Sequence, residues 1–349
     1  MLRYTMRIPL SLAVATLLLT PFAGRAAGFD CLNAQAPIEL TICNDPVLNA
    51  LDEEVTRLYN HAPQTDSRRQ EQRDWLAARL ARCAIPRRGP DPSLEERWRT
   101  APCLVQMYRD RVLALGGTVD PLPKPDADVI HPLCLTAALS PFGEGEVLPI
   151  DRKACAAGTA HIPVDRLDDG WISAGGADLG LGTWTAYRAI TDLPDGMHAA
   201  LVQFNTGGTG IFSSLISYSV GDQLRVEPLI GGGDRCNGGI TAASYHKPDW
   251  LVRFAATPVD VAVEIELPES RQEELPYCAI CCVGEVEIRF DPEGSETVQA
   301  LYRNKDDRVL EPETPAETCL LQAMGDAEKI PVEEFPAVRN RFEACMARQ

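Results

Sequence analysis

Twelve cysteines, all of them after residue 30, constrain this 349-residue chain more than any other feature. They are Cys31, Cys43, Cys83, Cys103, Cys134, Cys155, Cys236, Cys278, Cys281, Cys282, Cys319 and Cys345. An even number of cysteines in an exported chain argues for a structural disulfide framework. Export is what the first 26 residues lead us to expect. Arg3 and Arg7 precede an apolar run from Ile8 to Thr20, and Gly24 and Ala26 are the small residues before a cut after Ala26. That run falls short of the roughly 20 apolar residues of a membrane span. Asp30 stands before Cys31, where a lipid-attachment motif needs a small residue. No later segment is apolar enough to span a bilayer.

After such a cut, about 323 residues are long for one hydrophobic core, so at least two domains are expected. Residues 29–117 hold 13 acidic and 12 basic side chains, a net of −1. Residues 118–349 hold 37 and 18, a net of −19. A surface this acidic repels nucleic acid and anionic membranes; it suits a cationic partner, and equally it serves solubility alone. The expected class is α+β: a disulfide-stapled three-helix domain over 27–117, then a mainly antiparallel β domain with a short helical C-terminus. A signal peptide over 1–26, a proline-rich linker over 118–132, a β-rich part over 133–315 and a helical segment over 316–349 complete the division.

Within the first domain, Asn44 or Asp45 caps a helix that Pro46 begins. Val47, Leu48, Leu51, Val55, Leu58 and Tyr59 repeat on its apolar face, leaving Asp52, Glu53 and Glu54 to solvent. A second helix is expected over 67–82 with Trp75, Leu76 and Leu80 buried. A third follows Cys103, with Leu104, Val105, Tyr108, Val112 and Leu115 in register, and Gly116-Gly117 ends it. Four cysteines allow three pairings. If the first two helices form an antiparallel hairpin, Cys43 meets Cys83, leaving Cys31 for Cys103.

"FDC", "PIELTIC", "DPVLNALDEEVTRLY", "QRDWLAARLARC" and "CLVQMYRDRVLAL" follow one another in the order seen in the LprI-type lysozyme-inhibitor N-terminal domain. Residues 29–117 resemble that family, apart from a long insertion, "AIPRRGPDPSLEERWRTAP", between Cys83 and Cys103. The resemblance implies a helical domain of the bacterial periplasm or of secreted proteins, with a lysozyme as partner. It designates no inhibitory residue.

Beyond the linker, "WTAYRAI", "HAALVQF", "SSLISYSV", "LRVEPLI", "WLVRFAA", "VDVAVEIEL" and "GEVEIRF" read as strands of an antiparallel meander, a sandwich or a strongly curved sheet. Two short helices close the chain, within stapling reach through Cys319 and Cys345. "NTGGTG" (205–210) lacks the Lys-Ser/Thr of a phosphate loop and reads as a glycine-rich hairpin. "GGGDRCNGG" (231–239) either presents Asp234, Arg235 and Asn237 as a binding loop or forms a wide turn pinned by Cys236.

"CAICC" (278–282) admits a zinc site with Cys236 or His246, a redox pair, or two bridges that also take in Cys236. In an oxidising compartment the bridges are the simplest, with Cys281 and Cys282 taking different partners. No Gly-x-Ser-x-Gly or His-Glu-x-x-His motif occurs, and the five histidines (His61, His131, His161, His198, His246) are scattered. No catalytic residue, cofactor or metal ligand is therefore expected. The expected activity is non-enzymatic binding, with inhibition by occlusion of a lysozyme cleft. An envelope hydrolase that uses the helical domain as a docking arm, or a purely structural envelope protein, are the competing readings.

Overall fold

The computed structural model describes residues 28, 29, 31–122, 129–137, 139, 149–175, 183–206, 210–303, 312 and 314–349. The expected leader, residues 123–128 of the linker and residues 207–209 of "NTGGTG" lie outside them.

Four helices build the first region: α1 (Pro37–Cys43), α2 (Pro46–His61), α3 (Asp66–Arg82) and α4 (Leu94–Ala114). Asp45 caps α2 by accepting from the backbone N–H of Val47 and Leu48, each at 3.0 Å. Ser93 and Glu96 form a capping box that starts α4 nine residues before Cys103. The inserted segment is thus partly helix. Ile42, Leu48, Val55, Leu104, Val105, Tyr108 and Val112 are buried together.

Several expectations fail here. Leu76 is exposed, and Trp75 is only partly buried, edge-on to Tyr108 with ring centroids 5.1 Å apart. Asp52 is buried rather than solvated. Its carboxylate accepts from the Tyr108 hydroxyl at 2.5 Å and from the Gly28 N–H at 2.9 Å. Arg79 donates to the same hydroxyl and lies 3.5 Å from Asp52. Helical periodicity marks apolar faces and is blind to a carboxylate that enters a core with its own partners.

The pairing of Cys43 with Cys83 and Cys31 with Cys103 is also overturned. Cys31 is bonded to Cys43, and Cys83 to Cys103. Helix α1 turns the chain back so that Cys43 meets the 3-10 turn Cys31–Asn33. Cys83, the C-cap of α3, meets a cysteine inside α4 rather than at its start.

The remaining chain forms two antiparallel sheets. The first has the order β1-β7-β6-β5-β4-β3-β2, made of β1 (Ile150–Asp151), β2 (Val164–Arg166), β3 (Trp171–Gly175), β4 (Thr183–Asp192), β5 (Met197–Thr206), β6 (Phe212–Val220) and β7 (Gln223–Asp234). The second, β12-β11-β10-β9-β8, contains β8 (Ile240–His246), β9 (Asp249–Ala256), β10 (Gly284–Phe290), β11 (Glu296–Arg303) and β12 (Lys329–Pro331).

Directly paired residues share a sheet face, and the register places Phe254, Val286, Leu301 and Ile330 on one face of the second sheet. That face has two coverings. Val252 and Phe254 pack on Leu201 and Leu215 of the first sheet. Val286, Leu301 and Ile330 pack under α7 (Pro258–Glu264), α9 (Pro315–Met324) and α10 (Phe335–Met346), which bring Val261, Leu320, Val338 and Phe342. Cys319–Cys345 staples α9 to α10. The opposite face is polar, and Glu287 there accepts from Lys329, Tyr302 and Arg253.

"VDVAVEIEL" is largely helix α7, not a strand. Thr257 and Asp260 form a capping box, Pro258 starts the first turn, and Val261 and Ile265 are buried while Val263 is exposed. Between β9 and β10 the chain also forms α8 (Glu269–Gln272).

The other face of the first sheet receives α5 (Pro132–Ala137) and α6 (Arg152–Thr159), joined by Cys134–Cys155. It also receives Trp98 of α4. The helical region is therefore packed on the sheet through Trp98. A Cβ at Gly158 of α6 would collide with Trp98, so glycine permits this close approach. Among the described residues, no helix is long and apolar enough to cross a membrane.

Candidate functional site

Two places combine exposure or space with side chains that folding alone does not require. The first is a loop. Cys236 is bonded to Cys282 and Cys278 to Cys281, so the turn after β7 and the segment 276–282 are fastened together. The Cys236 N–H donates to the Ala279 carbonyl at 3.4 Å. Between these bridges Tyr277 and Ile280 are 63% and 61% exposed, more than any other large apolar side chain among the described residues. The neighbouring stretch 258–282 carries six acidic residues and one basic residue, Arg271. Burial, and then the nearby Asp260, push the Glu264 carboxyl above its usual range.

The residues singled out in "GGGDRCNGG" lie beneath this loop. Asp234 and Arg235 hold each other at 3.0 Å, and Asp234 also accepts from the Ile211 N–H at 2.7 Å. Asn237 forms a bridge back to Asp234, and its Oδ1 is buried without a hydrogen-bond partner among the described residues. These three side chains build the turn and do not converge on a cleft. Among the described residues, no group of three or more His, Cys, Asp or Glu side chains is arranged to hold a metal. His246 lies 3.1 Å from Ser244, and His198 pairs with Asp192 at 2.7 Å on an exposed hairpin end.

The second place is a cavity of about 330 Å³ where the helical region meets the first sheet. The α1–α2 junction, the first half of α4, α5, α6 and the ends of β3, β4 and β5 surround it. Beside it the buried His161 Nε2 donates to Asp45 Oδ2 at 2.6 Å, tying the α2 cap to the residues after α6. His131 is held down to about 4 by burial, opposed by its Nε2 contact with the Ile162 carbonyl. Its Nδ1 accepts from the Leu133 N–H, which fixes the neutral ring.

Sequence reading passed over Tyr277, Ile280 and the residues around this cavity. Ile280 between closely spaced cysteines, with Tyr277 just before them after Pro276, was the one local sign of the loop. The cavity had no local sign, since its walls come from segments more than a hundred residues apart. No family model matches the chain, and no curated protein and no solved structure matches it either.

Proposed function

We propose that the protein is an exported, non-catalytic binding protein of the bacterial envelope that occludes the substrate cleft of a cationic lysozyme. The lysozyme reading comes from the resemblance of residues 29–117 to the LprI-type domain. The observation that carries the binding role is the pinned loop with its two most exposed apolar side chains, Tyr277 and Ile280. Tyrosine is enriched among residues that dominate binding energy. A loop closed by two bridges loses little conformational freedom when a partner captures it. The acidic stretch beside it complements a cationic rim and speeds encounter.

The test is titration of the oxidised protein against a cationic lysozyme acting on peptidoglycan, with association rates measured across a salt series. Inhibition is expected, with an association rate that falls steeply as salt rises. Tyr277→Ala combined with Ile280→Ala should weaken inhibition at least tenfold, the order expected for truncating central interface residues. Absence of inhibition well into the micromolar range would overturn the lysozyme reading. Undiminished inhibition by the double variant would move the contact away from the loop.

A further inference from the structure

All twelve cysteines are bridged, and one of the six bridges adds little to the fold. Cys236–Cys282 already fastens the turn after β7 to the segment 276–282. Cys278–Cys281 lies wholly within that segment and joins no two helices or strands. It spans three positions, against 12 to 46 for the other five. Stabilisation in the chain-entropy model grows with loop length, so this bridge constrains the unfolded chain least. The Cys281 N–H also donates to the Cys278 carbonyl at 3.2 Å, closing the same turn without the sulfurs.

Its two cysteines have unlike surroundings. Cys278 is half-buried and follows the exposed Tyr277, with the exposed Ile280 two residues on. Cys281 is buried, and its Sγ lies 3.0 Å from the Cys278 carbonyl oxygen and 3.9 Å from that of Pro276. A bonded sulfur has no proton to offer these carbonyls, whereas a thiol there would donate to the nearer one. The reduced form is therefore accommodated without an orphaned buried donor. Cys31 and Cys43 are both half-buried too, but their bridge spans 12 positions and ties α1 to the 3-10 turn before it. Exposed bridges are the ones that exchange most readily with external thiols.

We infer that Cys278–Cys281 is a thiol–disulfide exchange site whose substrate is a dithiol. One thiolate of the dithiol attacks Cys278 Sγ, the bond to Cys281 Sγ breaks, and Cys281 leaves with the electron pair and takes a proton from solvent. The second thiolate attacks the substrate sulfur of the mixed disulfide, and Cys278 leaves and is protonated in turn. Two electrons pass from the dithiol to the bridge; the substrate ends as a disulfide and its two protons reach the two cysteines through solvent. Cys236–Cys282 stays closed and holds the opened segment in place. This site lies on the pinned loop but does not rest on the lysozyme reading.

The test equilibrates the full-length oxidised protein with buffers of reduced and oxidised dithiothreitol, quenches with acid, alkylates and maps each cysteine by mass spectrometry. Cys278 and Cys281 should be alkylated at a ratio that leaves the other ten cysteines bridged, with an unchanged circular dichroism spectrum. Two single variants then locate the attack. With oxidised glutathione, Cys281→Ser should form a mixed disulfide at Cys278, and Cys278→Ser should form one at the buried Cys281 about tenfold more slowly or less. Earlier opening of any other bridge, opening of Cys278–Cys281 only together with unfolding, or equal rates for the two variants would each overturn the proposal. Failure to inhibit a lysozyme would leave these outcomes as they are.

Discussion

Residues 31–122 bury two carboxylates, Asp45 and Asp52, the Tyr108 phenol and the Arg111 guanidinium, whereas the layer formed by α7, α9 and α10 buries apolar groups with Glu317 as its main charged member. Their backing differs as well. The C-terminal helices lie on a ready-made flat surface, the apolar face of β10–β12. The N-terminal helices pack on one another and, through α4, on α6 and the first sheet, and a small core alone supplies little stability. Asp52, Tyr108 and Arg79 give that region a mutually satisfied polar centre that only one packing arrangement completes. Burial pushes the Asp52 carboxyl above its usual range, and the Gly28 N–H and Arg79 oppose it. Burial also lowers the Arg79 guanidinium. Both shifts mark a centre that is costly if left half-made.

The largest effect should follow from breaking that centre. Asp52→Ala leaves the Tyr108 hydroxyl without its acceptor and the Arg79 guanidinium without its carboxylate, and should lower the unfolding free energy by about 3–5 kcal/mol. Replacing both residues, Asp52→Leu with Arg79→Met, should recover much of the loss. Urea melts of the oxidised proteins decide this, and a double variant no more stable than the single one would contradict the polar-centre account.

Next come the bridges. Cys83–Cys103 and Cys319–Cys345 close loops of similar length, with sequence separations of 20 and 26, so the chain-entropy model assigns each about 3 kcal/mol. The difference should lie in where the loss appears. Removing the first by paired Cys→Ser changes should open α3 in amide hydrogen exchange. Removing the second should leave α10 protected, because Val338 and Phe342 remain anchored on the sheet. Equal exposure of both helices would erase the contrast.

The smallest effect concerns the seam between the regions. Burial holds the His131 imidazole at a pKa of about 4 in the folded protein, below its ordinary 6.5. As pH falls below about 6.5 the unfolded chain gains a proton that the folded chain refuses until about pH 4. This histidine should therefore cost about 2 kcal/mol of stability between pH 7 and pH 5, levelling off below about 4. His131→Gln should flatten that part of the stability profile. An unchanged profile would remove His131 from the account of the seam.

Much of the local structure was legible in the residues themselves. Asp45-Pro46 begins a helix because a side-chain acceptor and a fixed φ act within one turn. The buried positions of α4 followed from their spacing, and the C-terminal stretch read as two short helices. The capping signals of α4 and α7 were also present, in Ser93-x-x-Glu96 and Thr257-Pro258-x-Asp260, though apolar alternation concealed the second. Antiparallel strands were readable as short β-rich runs between turns. Their division into two sheets was not, because sheet membership depends on which distant runs pair.

Interactions of this second kind, between segments far apart in sequence, were settled only by the tertiary structure. Disulfide partners, the burial of Asp52, the contact of His161 with Asp45 across 116 positions, and the assembly of Trp98, Trp184 and Thr185 around one cavity all arise from such proximity. Capping, periodicity and charge act over a few residues, so the chain states them directly. Pairing and packing depend on the whole set of contacts that minimises exposed apolar surface and unsatisfied polar groups together, and no short stretch carries that information.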